Sequence, residues 1–353
     1  MAAALALTAG LVSVSAQPVE GGIEETERRL QVPLEQTTAL RTQFEAELRA
    51  LKGEDLRGFY NGWIDRIGAN GITDTLKRVE PGCHGRGHDL GKLLFEKIGE
   101  IQRALASCDE VCNSGCMHGV FRQAMSGEAA RGADGRMDPV RLAARVEADC
   151  GANGEYPLGD CIHGLGHAFM YEADYDVEDA IAFCDRLGDH ARKYYCATGA
   201  YMELANNPPP VYLDGQSIYF PCDRSPYPAA CFRYRFPVSL PEFYRGGGQF
   251  QELARGCAAL AQPYRLGCFH GVGNGHLRAL IRTPEALGEL CGQGDRDDQA
   301  VCIEGAMERM ARYHDALAER ACASLADWRK SVCDESLKRG LYAMDRSFAL
   351  YPR

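Results

Sequence analysis

Apolar residues along most of the chain recur every three to four positions, and strand-like alternation is scarce. Stretches such as Asp179-Ala180-Ile181-Ala182-Phe183 and Ala197 to Ala205 combine that spacing with helix-forming residues, which predicts an all-α chain. Residues 24–51 (EETERRLQVPLEQTTALRTQFEAELRAL) predict an amphipathic helix interrupted at Pro33. It would cap the helices after it, since the end of a helical array must cover its own apolar face. The segment 337–353 would cap the other end. Pro-rich stretches at Asn207-Pro208-Pro209-Pro210 and Tyr227-Pro228 fall where helices must stop.

Cysteine sets a longer period on this texture. Successive pairs are Cys150/Cys161, Cys184/Cys196, Cys222/Cys231, Cys257/Cys268, Cys291/Cys302 and Cys322/Cys333, and the second members recur every 31 to 37 residues. That is the size of a two-helix unit. The expected fold is therefore all-α: disulfide-stapled two-helix repeats of about 35 residues, forming a superhelix or a closed α/α ring. Each unit would be helix, loop of roughly ten residues, helix, with one Cys ending the first helix and one opening the second. Four further cysteines, Cys83, Cys108, Cys112 and Cys116, allow three connectivities, and spacing alone does not choose among them. No Cys-x-x-Cys is present, which argues against zinc knuckles. Residues 17–80 read as an N-terminal helical cap and 81–353 as a repeat domain of about eight Cys-paired units.

Aligned on the second cysteine of each pair, the segments share two columns. The first holds His84, His118, His163, Thr198, Arg233, His270 and Glu304, with the cysteine displaced by one residue in the first unit. Four residues on, the second holds His88, Arg122, His167, Met202, Asn274 and Glu308. Residues at i and i+4 share a helix face, so His84/His88 and His163/His167 can each present two imidazoles to one point, the spacing of helical metal ligands. Seven of nine histidines lie in these segments or just beyond, His276 included. A place in a helix's first turn would keep them neutral, as ligands must be. Gly follows the first column at 85, 119, 164, 199, 271 and 305. Gly costs a helix about 1 kcal/mol against Ala, so these positions predict close helix–helix approach.

The candidate ligands are His84, His88, His118, His163, His167 and His270, holding one or two ions. All-imidazole sites suit copper first, with zinc or iron as alternatives. Glu304 and Glu308 occupy the same columns as candidate acid–base carboxylates. No Gly-x-Ser-x-Gly, phosphate-binding Gly-x-x-x-x-Gly-Lys or Cys-x-x-Cys-His is present, which leaves nucleotide cofactors and covalent haem without a site.

The chain has 353 residues, 46% of them hydrophobic and 25% charged, a globular balance. Its net charge of −10 argues against nucleic acid or an anionic membrane as partner. Residues 1–16 are uncharged and end in Val14-Ser15-Ala16, the form of a cleaved signal peptide, and no later segment is apolar enough to span a bilayer. With 16 cysteines, the expected location is secreted or periplasmic.

The two-helix period resembles tetratricopeptide-type repeats in architecture, although their signature residues are absent. The paired His-x-x-x-His segments resemble those of paired-copper oxidases, whose metals several imidazoles hold. That likeness implies a copper-type oxidoreductase. The alternatives are a zinc-dependent hydrolase, a non-catalytic metal-binding protein, and a protein-binding scaffold in which Arg122, Arg233 and Arg235 hold an anionic ligand.

Overall fold

The computed structural model describes residues 30–51, 55–80, 83–108, 112, 115–125, 138, 140–141, 144, 158–188, 190–206, 208–209, 212 and 217–339. The expected signal segment 1–16, Cys150 and residues 340–353 of the expected C-terminal cap lie outside them. Among the described residues there is no strand.

A short 3₁₀ turn, Leu34–Thr37, follows Pro33, and α1 (Thr38–Ala50) runs on from it. Residues 31–33 are non-helical and Pro33 caps the turn that follows, as a residue that can start a helix but cannot continue one; residues 24–29 of the predicted helix lie outside the described residues. Helix α2 (Leu56–Val79) packs on both α1 and α3 (His84–Ile98). The column residues belong to α3, α5 (Gly115–Met125), α6 (Leu158–Glu172), α8 (His190–Asn206), α9 (Pro228–Arg245), α11 (Tyr264–Gly275) and α14 (Arg296–Tyr313). Each of these packs against the next in turn.

Shorter helices lie between them: α4 (Ile101–Ala106), α7 (Val177–Cys184), α10 (Phe250–Ala259), α12 (Leu277–Arg282) and α13 (Leu287–Leu290). Helices α15 (Asp315–Ala323) and α16 (Asp327–Arg339) close the described chain. No helix of the described residues is long and apolar enough to cross a membrane.

Among the described residues, seven disulfides link neighbouring helices. Five of the six expected pairs are present as Cys184–Cys196, Cys222–Cys231, Cys257–Cys268, Cys291–Cys302 and Cys322–Cys333. The sixth, Cys150–Cys161, is not among the seven. Cys150 lies outside the described residues, whereas Cys161 is buried on α6 and disulfide-bonded. The open set resolves as Cys83–Cys112 and Cys108–Cys116. Such loops stabilise by roughly 2–4 kcal/mol each, chiefly through the unfolded chain, and their number is consistent with an extracellular compartment.

The connections are shorter than the spacing predicts. Asp295 caps α14 with a capping box, so that helix begins well before Cys302, and Cys196 and Cys333 likewise lie inside their helices. In these helices the stapling cysteine thus marks a point within the second helix, and in α14 the acidic cap upstream sets the start.

Close approach of α6 and α8 depends on two glycines. A Cβ on Gly199 would lie 1.8 Å from the carbonyl oxygen of His163, and one on Gly166 would lie 1.9 Å from that of Cys196. Helices α3 and α5 meet the same way: Gly119 faces the His88 carbonyl at 2.0 Å, and Gly91 faces that of Cys116 at 1.8 Å. These contacts put His88, not His84, level with His163. His84 therefore stands one helical turn outside the register that the cysteine alignment gives. Gly85 departs from the packing expectation, since nothing lies within 4 Å of its Cβ position.

Candidate metal centre

Three column helices bring five imidazoles together. Helix α3 carries His84 and His88 one turn apart, α5 carries His118, and α6 carries His163 and His167 one turn apart. Among the described residues, one nitrogen from each of His84, His88, His118 and His167 lies within 4.8 Å of the others. His163 adjoins them, its Nε2 3.3 Å from His167 Nε2. The His118 ring stacks on that of His167 with centroids 3.7 Å apart, joining the α3 pair to the α6 pair. His84 is half-buried, whereas the other four are buried.

Hydrogen bonds fix the tautomers. His84 Nδ1 lies 3.0 Å from the Cys112 carbonyl oxygen, which can only accept, so Nδ1 carries the proton. His163 Nδ1 lies 2.7 Å from Thr198 Oγ1, whose own hydrogen is donated to the Tyr195 carbonyl. His167 Nδ1 donates to Glu203 Oε2 at 2.7 Å. In all three rings the lone pair is therefore at Nε2. With both rings neutral, the Nε2 lone pairs of His167 and His163 lie toward each other across 3.3 Å. His84 Nε2 lies 3.1 Å from His88 Nε2 and 3.4 Å from His118 Nδ1. Nitrogens bonded tetrahedrally to one ion at about 2.0–2.1 Å sit about 3.3–3.4 Å apart. The donors thus suit a borderline metal ion in type; three nitrogen pairs lie 3.1–3.4 Å apart, near that spacing, and the four-histidine group as a whole lies within 4.8 Å.

Glu203 belongs to the centre. It is buried on α8, and besides His167 it accepts from the Tyr175 hydroxyl at 3.2 Å. Burial works against its charge, but the His167 hydrogen bond, the His167 and His88 imidazoles and Tyr175 outweigh it and hold the carboxyl at about 2. Asp174 and Tyr175 both take left-handed backbone conformations, with φ of 50° and 64°. Such conformations are costly for non-glycine residues and persist where surroundings enforce them; here the turn delivers the Tyr175 hydroxyl to Glu203. Column reasoning missed both residues. The available signal was a lone carboxylate within the apolar run Ala197 to Ala205. Outer-shell partners of this kind typically change metal affinity 10–100-fold. Glu203→Gln is expected to weaken binding by about that factor, measured by competition with a chromophoric chelator.

Burial, followed by repulsion from neighbouring imidazoles, pushes the pKa values of His88 and His118 well below 6.5. The expectation that a helix N-terminus keeps the columns neutral is corrected for the deeper positions. His163 is the sixth residue of α6 and His270 the seventh of α11, beyond the first turn where the dipole acts. The pH consequence has a definite sign. Below pH 6.5 the unfolded chain takes up protons that folded His88 and His118 refuse, so stability is full above that value and falls as pH drops. The slope approaches about 1.4 kcal/mol per pH unit for each histidine. Thermal unfolding of the chelator-treated protein between pH 7.5 and pH 5 checks it.

The remaining candidates lie elsewhere. His270, Glu308 and Asn274 form a separate buried group with Arg233: His270 Nε2 bonds Glu308 Oε1 at 3.1 Å, and Arg233 ion-pairs with Glu308. Glu304 is buried on the same helix, α14. His276 is satisfied locally, its Nδ1 donating to the Val272 carbonyl at 2.8 Å and its Nε2 accepting from the Tyr244 hydroxyl at 2.7 Å. The structure thus gathers His84, His88, His118 and His167, with His163 beside them, and leaves His270, Glu304 and Glu308 with other partners. Comparison of the chain with protein-family models, with curated proteins and with solved structures finds no match, so the centre is read from its own geometry.

Proposed function

We propose that this protein is a metal-dependent oxidoreductase of the copper type, its ion held by His84, His88, His118 and His167 with His163 as a further donor. The observation that carries the reading is the group of ring nitrogens from His84, His88, His118 and His167 within 4.8 Å of one another, with the His163 and His167 rings held from behind at Nδ1 by Thr198 and Glu203. A set made of imidazoles, with the carboxylate of Glu203 placed behind a ligand, favours copper over iron, and copper heads the divalent affinity order for nitrogen donors. When bound, copper would supply a one-electron couple for oxidation.

The chain's own residues divide the remaining work. Thr198, Glu203 and the Cys112 carbonyl hold ring orientation, His88 and His118 stay unprotonated, and burial excludes water from three of the four ligands. His84, the half-buried member, marks the side from which a small oxidisable molecule would approach. Equilibrating the apoprotein with copper should give a paramagnetic signal with coupling to several nitrogens, and oxygen uptake when a reductant is supplied. Copper binding without uptake would support a second reading, favoured by the burial of His88, His118 and His167, in which the ion is held without turnover. Preferential retention of zinc would contradict the copper assignment.

A further inference from the structure

The group around His270 resembles the metal centre in its helix packing and in the kinds of residue it gathers. Helices α11 and α14 approach through glycines as α6 and α8 do: Gly305 faces the His270 carbonyl at 2.0 Å, and Gly273 faces that of Cys302 at 2.1 Å. His270 thereby takes the place of His163, and Asn274, four residues on, that of His167. Glu308 on α14 supplies a buried carboxylate as Glu203 does on α8, but one residue earlier relative to the stapling cysteine, and it bonds His270, the counterpart of His163, whereas Glu203 bonds His167. The helix packed ahead of each pair supplies the third member. Helix α5 contributes His118, two residues after Cys116, and α9 contributes Arg233, two residues after Cys231.

The chemistry differs at one point of consequence. His270 uses its Nε2 hydrogen on Glu308, leaving Nδ1 as the acceptor, and the Asn274 amide nitrogen lies 3.5 Å from it and 3.4 Å from Glu308 Oε2. The imidazole lone pair that His163 and His167 turn to a common point is here turned to a neutral amide. The cation at this place is part of the chain: the Arg233 guanidinium, buried and ion-paired with Glu308. A buried carboxylate needs such a partner, since an uncompensated charge in the interior is strongly destabilising.

We infer that His270, Asn274 and Glu308 form a second cation pocket of related design, in which the Arg233 guanidinium stands where the first centre takes a metal ion. Arg233 is then the residue that restricts metal to one end of the helix series. The inference rests on reading the histidine group as a metal site.

Its test compares metal content in two folded proteins. Wild type and the Arg233→His, Asn274→His double variant are stripped with chelator, equilibrated with zinc sulfate alone, desalted and assayed for zinc per chain. The double variant should hold one zinc more than wild type; an unchanged count in a folded variant overturns the proposal. Should the double variant not fold, Arg233→Met decides, its loss of the internal cation lowering the unfolding temperature in chelator and added zinc restoring part of that loss. A variant that melts as wild type does, or that zinc leaves unmoved, overturns it. A wild type that binds no zinc or copper would sink the first reading alone, because this one is judged on the difference between proteins.

Discussion

Replacing both His163 and His167 by alanine will leave a folded, helical protein that no longer retains its metal. Each substitution removes an Nε2 donor, and the pair removes the two lone pairs that face each other across 3.3 Å. It also strips Thr198 and Glu203 of the rings they orient. The fold should survive at a lower unfolding temperature: Glu203 loses its His167 partner, but α6 stays held to α8 through glycine contacts and a buried apolar face that includes Ile162, Leu165 and Phe169. Metal content after desalting should fall from stoichiometric to a trace, with the far-ultraviolet circular dichroism unchanged. Full metal retention in a helical double variant would move the site elsewhere.

Gly199→Ala should be among the most damaging single methyl additions in the described residues. Its Cβ would lie 1.8 Å from the His163 carbonyl oxygen, and a backbone oxygen cannot turn aside as a side chain can. Relief requires α6 and α8 to separate, which costs about 3 kcal/mol or more, at the upper end of overpacking effects. Separation would also pull His163 and His167 away from Thr198 and Glu203, so metal affinity should fall with stability. Gly85→Ala is the matched control. Gly85 is exposed with nothing near its Cβ, so alanine there should add up to about 1 kcal/mol through helix propensity. Chemical denaturation of the two variants separates steric need from mere repetition, and equal effects would contradict the packing account.

Helical content and the disulfide framework were legible because both are periodic. A 3–4 apolar spacing and a cysteine spacing near eleven survive any detail of tertiary structure. The pairing among Cys83, Cys108, Cys112 and Cys116 was not legible, since four clustered sulfurs satisfy every connectivity until the helices around them are placed. The histidine centre was half legible. Spacing at i and i+4 singled out His84/His88 and His163/His167, but alignment on cysteine also swept in His270 and Glu308. Only the third dimension separates the two groups, since the residue that distinguishes them, Arg233, lies 37 positions before His270 on another helix. Glu203 and Tyr175 escaped for a related reason. One falls a residue past the column and the other sits in a left-handed turn, so each reaches the centre through the approach of two helices and not through repeat position.

The most direct measurement is metal content in the mature chain, purified untagged from an oxidising compartment without chelator. The account predicts about one equivalent of copper per chain, retained through desalting because most of the donors are buried imidazoles; zinc in its place would keep the site and contradict the copper assignment. A protein that emerges metal-free and then refuses added copper and zinc would contradict it.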